Sequence, residues 1–208
     1  MRKLILTMSM SLDSFVSDPQ GDVQWIFSGD QEAMAWKVEN LWNASLIIMG
    51  SRSFQSMAPF WPTVTSMFAP PMNQIPKAVF SKQGSAILKV ASTALRDAQA
   101  HTGDSQTGQL QPGGESWAEA YVAGGDLAEE IAALKSQDGK PIVALGGAAF
   151  ARSLIAQNLV DEYFLMVHPI ALGKGLAIFS DLPAPRPLKL IHSKAFPLGA
   201  VAQIYRPA

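Results

Sequence analysis

Two short, fully apolar runs, each followed by glycine, limit what this chain can fold into. Residues 46–49 (LIIM) lead into Gly50, and residues 142–145 (IVAL) lead into Gly146 and Gly147. A strand that is apolar at every position has both faces covered, as the central strands of parallel sheets do. The sequence therefore predicts a layered α/β fold, with these runs near the middle of a mixed, mostly parallel sheet flanked by helices.

Helical and extended patterns alternate along the rest of the chain, as a layered α/β fold requires. Residues 31–43 carry apolar side chains at the spacing of one helix face, and Asp126 with Glu129 forms a capping box that opens a second helix. A third helix is predicted over 148–157. Further strands are predicted at 3–10, 77–81, 87–91 and 163–167, with a C-terminal antiparallel pair at 189–193 and 201–205.

The composition excludes several classes of function. Hydrophobic residues make up 48% of the 208 positions and charged residues 16%, against about 25% charged in an average domain. Sixteen basic residues against 17 acidic ones leave a net charge of −1 without any Lys/Arg run, which argues against a nucleic-acid groove or a polybasic membrane surface. The chain has no cysteine, so disulfides and thiolate metal sites are excluded.

The apolar N-terminus is interpreted as a first strand and not as a signal peptide. Its apolar stretch breaks at Thr7 and Ser9 and then meets Asp13. No apolar run approaches the roughly 18 residues of a membrane span. We therefore expect a cytoplasmic protein with a small-molecule substrate and with neither a membrane nor a nucleic acid as partner.

Residues 96–116 differ in character from the rest of the chain. Ala98, Ala100 and Leu110 are their only hydrophobic residues, and Gly, Gln, Thr and Asp dominate. Structureless loops of this length are uncommon inside compact domains and are usually functional or disordered. Because the flanking pieces are too short to bury separate cores, we predict a single domain, 1–208, with 96–116 as a polar, mobile insertion.

Two glycine-containing turns are candidate binding sites for a phosphorylated ligand. Gly146 and Gly147 separate a strand from a helix, whose free N–H groups favour an anion. The segment 50–53 (GSRS) also follows an apolar strand, and a guanidinium with hydroxyls at that position suits a phosphate. The alternatives are a tight strand-to-helix turn for the glycine pair, and a helix cap beside a solvated arginine for the second segment.

Acidic and histidine side chains supply the other candidates. The three histidines lie far apart and show no metal-ligand spacing, so no metal site is predicted. Asp13 and Asp30 follow early elements near Trp25, and a carboxylate beside an aromatic ring can bind an amino-substituted heterocycle or steer a proton. The alternatives are an Asx-turn for Asp13 and a helix cap for Asp30.

Taken together, these motifs resemble the dihydrofolate reductase-like superfamily. The closest resemblance is to the group that includes the C-terminal reductase domain of bifunctional riboflavin-biosynthesis proteins. The matching stretches cover nearly the whole chain except 96–116. They are 11–13 (SLD), 21–26 (GDVQWI), 48–53 (IMGSRS), 79–82 (VFSK), 126–135, 142–147 (IVALGG), 159–163 (LVDEY) and 169–175 (PIALGKG).

The resemblance implies a three-layer α/β fold in which NADPH lies across the carboxyl ends of the strands. It places Gly50, Arg52, Ser53 and Ser81 at the adenosine phosphate. It places Gly146, Gly147 and Ala148 against the pyrophosphate and the nicotinamide. It further implies that Trp25 contacts the substrate, that Asp30 and Asp13 take part in catalysis, and that the protein is a homodimer.

The predicted function is an NADPH-dependent reductase of a small nitrogen heterocycle, pterin-like or aminopyrimidine-like. In such an enzyme the nicotinamide supplies hydride while a pocket carboxylate pairs with the ring and supports its protonation. The alternative is a protein that has kept the fold and binds a nucleotide or pterin without turnover.

Overall fold

An eight-stranded sheet organises the part of the chain that the computed structural model describes, namely residues 1–27, 29–100, 108–180 and 182–208. The ten strands, eight in this sheet and two in a small second one, are β1 (Leu4–Ser11), β2 (Phe15–Ser17), β3 (Leu46–Gly50), β4 (Lys77–Phe80), β5 (Tyr121–Ala123), β6 (Ile142–Leu145), β7 (Glu162–His168), β8 (Leu176–Ala177), β9 (Leu188–Ala195) and β10 (Val201–Pro207). The α-helices are α1 (Gln31–Trp42), α2 (Ser51–Met57), α3 (Ala69–Gln74), α4 (Lys89–Ala100), α5 (Leu127–Ser136) and α6 (Ala148–Ala156).

The strands of the large sheet follow the order β5-β4-β3-β6-β1-β7-β10-β9. The first six run parallel to one another, and β10 and β9 close the sheet as an antiparallel pair. Strands β2 and β8 form the separate two-stranded sheet. The predicted fold class, a mixed and mostly parallel sheet with a C-terminal antiparallel pair, is confirmed.

Strand β1 shows how the sheet divides the core into two layers. Leu4, Leu6 and Met8 point to one face, while Ile5 points to the other, as the two-residue period of a strand dictates. Helices α5 and α6 cover the first face, and helices α1 to α4 cover the second. The main helical contributions to these layers are Ile131, Leu134, Ala151 and Leu154 on the first face, and Leu41, Phe54, Met72 and Ala91 on the second.

One predicted strand is absent. Residues 87–91 complete a 3-10 turn and begin α4, so the prediction of a strand there is wrong. A short apolar run fits a buried helix segment as well as a strand, and periodicity alone does not separate the two. Ile87 and Ala91 are both buried on the face of the sheet that α1 to α4 cover.

The segment 96–116 is structured at both ends, so the prediction of a loop across its whole length is wrong there. Residues 96–100 complete α4, whose buried face is Ala91, Leu95 and Ala98. A helix needs only one apolar stripe, and small alanines supply it without raising the hydrophobicity of the segment. Residues 114–117 form a 3-10 turn in which Gly114 and Trp117 are buried. Residues 101–107 lie outside the described residues, and the mobility of the segment stays a prediction.

The indole of Trp117 anchors the end of this segment in the core. The ring is fully buried, packs against Phe54, and donates from Nε1 to Oδ1 of Asn73 at 2.9 Å. Lys77 lies over the same ring, 4.9 Å from its centroid, and donates to the carbonyl oxygen of Asn73. Burial lowers the pKa of Lys77 to about 7. These contacts tie the chain after the polar segment to α3 and β4.

Substitution Trp117→Phe tests whether this anchor carries stability. The change removes the donor to Asn73 and leaves both a small cavity and a buried amide oxygen without its partner. We expect a loss of about 2–4 kcal/mol in the free energy of unfolding, measured by urea denaturation. Trp42→Phe, at an indole that is 39% exposed, is the matched control. Equal losses for the two variants would contradict the anchoring role.

Candidate functional site

A large cavity of about 1070 Å³ opens at the carboxyl ends of the parallel strands. The last residues of β3, β4 and β6, Gly50, Phe80 and Leu145, are part of its wall. Open α/β sheets bind their ligands at this edge because the loops that follow adjacent strands diverge there. The cavity therefore lies where the parallel topology is expected to create a binding site.

The glycine turn between β6 and α6 forms a closely packed part of this wall. Gly146 and Gly147 adopt φ values of +66° and +76°, a region that side chains disfavour. A Cβ on Gly147 would lie 2.8 Å from Oγ of Ser53, and one on Gly50 would lie 3.0 Å from Cβ of Phe150. The starts of α2 and α6 therefore approach each other closely, and glycine is needed for both the backbone geometry and the space.

The structure brings six of the ten predicted site residues together around the cavity. They come from two turns, one after β3 and one after β6, that are separated by about ninety residues of sequence. The six are Gly50, Arg52, Ser53, Gly146, Gly147 and Ala148. The remaining four, which are not part of the cavity wall, are Asp13, Trp25, Asp30 and Ser81.

Ser81 lies one residue beyond β4 and is buried. Its hydroxyl oxygen accepts a hydrogen bond from the backbone N–H of Gln83 at 3.1 Å, and its own N–H donates to the carbonyl of Ala123. Both contacts shape the turn that follows the strand.

Asp13 fastens two loops to each other. Its carboxylate accepts from the hydroxyl of Ser11 at 2.6 Å and from the backbone N–H groups of Leu172 and Gly173 at 3.1 and 2.6 Å. These hydrogen bonds, the one from Ser11 above all, lower the pKa of Asp13 to about 2. The contacts are structural, and the catalytic role implied by the resemblance stays a prediction.

Asp30 caps α1, as the alternative interpretation of the sequence expected. Its carboxylate accepts from the N–H of Ala33 at 3.1 Å and from the N–H of Leu198 at 2.9 Å, and the residue is buried. These donors lower its pKa. The carboxylate thereby joins the start of α1 to the turn between β9 and β10, and its role in catalysis also stays a prediction.

Trp25 packs edge-on against His168, with ring centroids 5.6 Å apart. Both histidine nitrogens and Nε1 of Trp25 are buried and have no hydrogen-bond partner among the described residues. Burial and the positive charge of Lys37 together lower the pKa of His168 to about 4, against the opposing effect of Asp30. The histidine is therefore neutral at pH 7.

The ionisable side chains in the cavity wall are all cationic. They are Lys37 from α1, Arg52 from α2 and Arg152 from α6, and no carboxylate of the described residues is part of the wall. Burial lowers the pKa of Lys37 to about 8. The charge distribution of the cavity therefore favours an anionic ligand, or one that presents oxygen acceptors.

Two pairs of aromatic rings also line the cavity. Trp36 stacks on Phe164 with centroids 6.2 Å apart and planes at 28°, and Phe80 lies 5.0 Å from Phe150. The sequence analysis missed these rings, and it also missed Lys37. The predicted helix 31–43 contained the signal, since positions 36, 37, 40 and 41 share one helix face, but a lysine on a helix is usually exposed to solvent.

No helix of the described residues is long and apolar enough to cross a membrane. Within the same part of the chain, no three His, Asp or Glu side chains converge in a way that could hold a metal ion. The candidate site therefore consists of the two glycine-containing turns, the three cationic side chains and the aromatic rings of the cavity wall.

The mostly parallel sheet with a cavity at its strand ends is the architecture of a ligand-binding α/β domain. The family model described as the RibD C-terminal domain matches residues 2–202, and the chain belongs to that family. An uncharacterized protein of Bacillus subtilis strain 168, YyaP, is 24% identical over 204 residues, which is 98% of this chain and 94% of that protein. The predicted resemblance to reductase domains of riboflavin biosynthesis is confirmed.

Solved structures share this fold at low sequence identity. A pyrimidine reductase-like protein from Corynebacterium diphtheriae superimposes with a TM-score of 0.66 at 16% identity, over 100% of this chain and 92% of the other. A diaminohydroxyphosphoribosylaminopyrimidine deaminase/5-amino-6-(5-phosphoribosylamino)uracil reductase from Thermotoga maritima gives 0.64 at 18%, over 100% of this chain and 57% of the other. This chain thus spans little more than half of the bifunctional protein.

The loop contacts of Asp13 predict a pH-dependent contribution to stability. A carboxyl whose pKa is lower in the folded than in the unfolded chain stabilises the fold above its unfolded value near pH 4, and this stabilisation is lost as the pH falls toward about 2. Asp13→Asn should therefore lower the melting temperature at pH 7 and converge with the parent protein near pH 2. Glu39→Gln, at an exposed position of α1, is the control. A constant difference at all pH values would contradict this assignment.

Proposed function

We propose that this protein is an NADPH-dependent reductase of a small nitrogen heterocycle. The observation that carries the proposal is the closely packed glycine turn of Gly146 and Gly147, which opens α6 and shares one cavity with Arg52. Backbone N–H groups at a helix start, with glycine in place of side chains, suit the close approach of a pyrophosphate. When bound, NADPH would supply the hydride.

The residues present fit such a cofactor in three respects. The cavity volume of about 1070 Å³ slightly exceeds the usual range for small-molecule sites, about 300–1,000 Å³, so the cavity can accommodate an extended cofactor and a ring. Arg52 and Ser53 follow β3 and would hold the 2′-phosphate, while Gly50 leaves room beside it. With Ser81 outside the wall, we assign it to supporting the turn after β4, and Arg52 becomes the principal phosphate contact.

We take a pyrimidine as the substrate ring, since two structural neighbours are a pyrimidine reductase-like protein and a uracil reductase. We place the substrate ring beside the aromatic pair Trp36 and Phe164, because such a pair suits a flat ring, and we call this part of the cavity the substrate end. In this proposal Trp25, Asp30 and Asp13 lie outside the cavity wall and affect the substrate indirectly. They position the loops and the start of α1 that surround it.

The homodimer is part of the same proposal. Strand β9 forms the outer edge of the large sheet, and its Leu190 and Ile191 are 49% and 43% exposed. An exposed apolar edge strand is a natural pairing surface for a second copy of the chain. The cytoplasmic location is likewise proposed from family membership.

Arg52→Ala tests the choice of cofactor. One hydrogen bond to a charged group contributes about 1.5–3 kcal/mol, so the variant should bind NADPH roughly 10- to 150-fold more weakly while its affinity for NADH stays nearly unchanged. Affinities are measured by fluorescence titration, and added salt should erode the preference of the parent protein. Arg96→Ala, on the exposed face of α4, is the control. Equal affinity of the parent protein for both cofactors would refute this phosphate site.

Gly147→Ala tests the glycine turn. Alanine disfavours the φ of +76° and brings its Cβ to 2.8 Å from Oγ of Ser53, so NADPH affinity should fall at least about tenfold. Gly84→Ala is the matched control, because Gly84 also has a positive φ, +57°, but its Cβ would meet nothing within 4 Å. Both variants should lose stability, and only the first should lose cofactor affinity. Parallel losses of affinity would show that the turn has no special role.

Turnover separates the reductase from a protein that only binds. NADPH oxidation is followed with a panel of pyrimidines and pterins in the presence of the full chain. Oxidation that depends on one ring class supports the proposal. NADPH binding without oxidation for any ring would favour the non-catalytic alternative.

A further inference from the structure

Lys37 occupies an unusual position in the cavity. It lies on α1 next to Trp36, the ring that stacks on Phe164, and it lines the cavity together with both of them. Its Nζ donates to Oγ of Ser9 on β1 at 3.0 Å and lies 5.8 Å from the ring centroid of Phe68. Both partners are uncharged.

The charge of Lys37 is therefore not neutralised by the protein around it. Among the described residues it forms no salt bridge, whereas other lysines, such as Lys3 and Lys135, pair with carboxylates. The charged side chains that share the cavity, Arg52 and Arg152, are cations as well. On neighbouring β7, His168 is neutral at pH 7.

An uncompensated ammonium in a largely apolar cavity is costly to the fold. Burial lowers the pKa of Lys37 to about 8, which records that cost, yet leaves the group mostly protonated at pH 7. Three donors belong to the ammonium, and Ser9 takes one of them. The others are available to a ligand that lies against Trp36.

We infer that Lys37 is a specificity-determining residue that binds the substrate through an oxygen acceptor on the edge of its ring. Ser9 orients the ammonium, and the pair of Trp36 and Phe164 bounds the space for the ring plane. The inference rests on the proposed function, because it assigns the substrate end of the same cavity. Rings with a carbonyl edge are accepted, and rings with an amino-only edge are rejected.

The rejection follows from the chemistry of the wall. An amino-only pyrimidine carries amino donors at the positions where uracil carries carbonyl oxygens. Its remaining acceptors are ring nitrogens, and it becomes a cation when one of them is protonated. Such a ring needs a carboxylate, and none of the described residues in the wall has one. If an amino group of this ring faced Lys37, the amino N–H and the ammonium N–H would both be donors, and neither would have an acceptor. A site that hydrogen-bonds a carbonyl edge therefore discriminates strongly against a ring without that edge.

The test compares two probes of similar size, 5-aminouracil with carbonyl edges and 2,4-diaminopyrimidine with amino edges. Binding to the full chain is measured by calorimetry and by ligand-observed NMR, with and without NADPH. The parent protein should bind 5-aminouracil at least about tenfold more tightly than 2,4-diaminopyrimidine. Equal affinities, or no binding of 5-aminouracil up to its solubility limit, would overturn the inference.

Lys37→Met keeps the length of the side chain but removes the charge and the donors. It should weaken 5-aminouracil binding about 10- to 150-fold, reduce the discrimination between the two probes, and leave NADPH affinity unchanged. Lys37→Arg should restore much of the discrimination, because a cationic donor returns. Lys89→Met, at an exposed site on α4, is the control. Unchanged probe binding in Lys37→Met would overturn the inference.

Two further readouts separate recognition from a structural role. Binding of 5-aminouracil to the parent protein should weaken as the pH rises from about 6.5 to 9, through the pKa of Lys37, and this dependence should be absent in Lys37→Met. Ser9→Ala, which keeps the lysine, should weaken the same probe severalfold. A flat pH profile in the parent protein, with Ser9→Ala unchanged, would contradict the inference.

The inference and the proposed function can fail separately. If NADPH does not bind while Lys37→Met abolishes the discrimination between the probes, the cofactor proposal fails and the recognition by Lys37 stands. If NADPH binds and the two probes bind alike, the recognition by Lys37 fails and the cofactor proposal stands.

Discussion

The parallel alignment of β1, β3 and β6 is the constraint on which the rest of this structure depends. These strands pair side by side, so their carboxyl ends meet at one edge, and the turns after β3 and β6 come together although they are far apart in sequence. Close packing at that edge requires glycine at positions 50 and 147, because any Cβ would meet Phe150 or Ser53. The cavity, its cations and its rings all lie around this junction. A change in strand order would disperse them.

Two acidic side chains of this protein stabilise its loops, and basic side chains line its cavity. The carboxylates of Asp13 and Asp30 accept hydrogen bonds from backbone N–H groups and, for Asp13, from the Ser11 hydroxyl, and they stabilise loops and a helix start. The cations Lys37 and Arg52 line the cavity. The first arrangement favours the fold, since each hydrogen bond lowers the carboxyl pKa. The second works against it, since burial of Lys37 opposes protonation. Proteins retain such unfavourable charges where binding needs them.

The residues that the family resemblance assigns to the site do not all line the cavity. Gly146 and Gly147, which the resemblance assigns to the cofactor, have positive φ values and line the cavity. Their contact with a cofactor stays a prediction. Side chains that the resemblance assigns to catalysis are another matter. Trp25 and Asp30 lie outside the cavity wall, and Lys37, about two turns into α1, lines it instead. Spacing along a chain places backbone more reliably than it places side chains, which rotate about their own bonds.

The sequence by itself determined the layers of this protein. Apolar runs such as 46–49 and 142–145 had to be covered on both faces, and they form central strands of the sheet, each followed by glycine as predicted. Local patterns could not separate a buried strand from a buried helix at 87–91, nor show that 96–100 continues α4. Only the tertiary structure decided which side chains share the cavity. A lysine on a helix is ordinarily solvated, and only the packing of α1 on the sheet places Lys37 in the cavity with Ser9 of β1 as its hydrogen-bond acceptor, a contact that no local pattern contains.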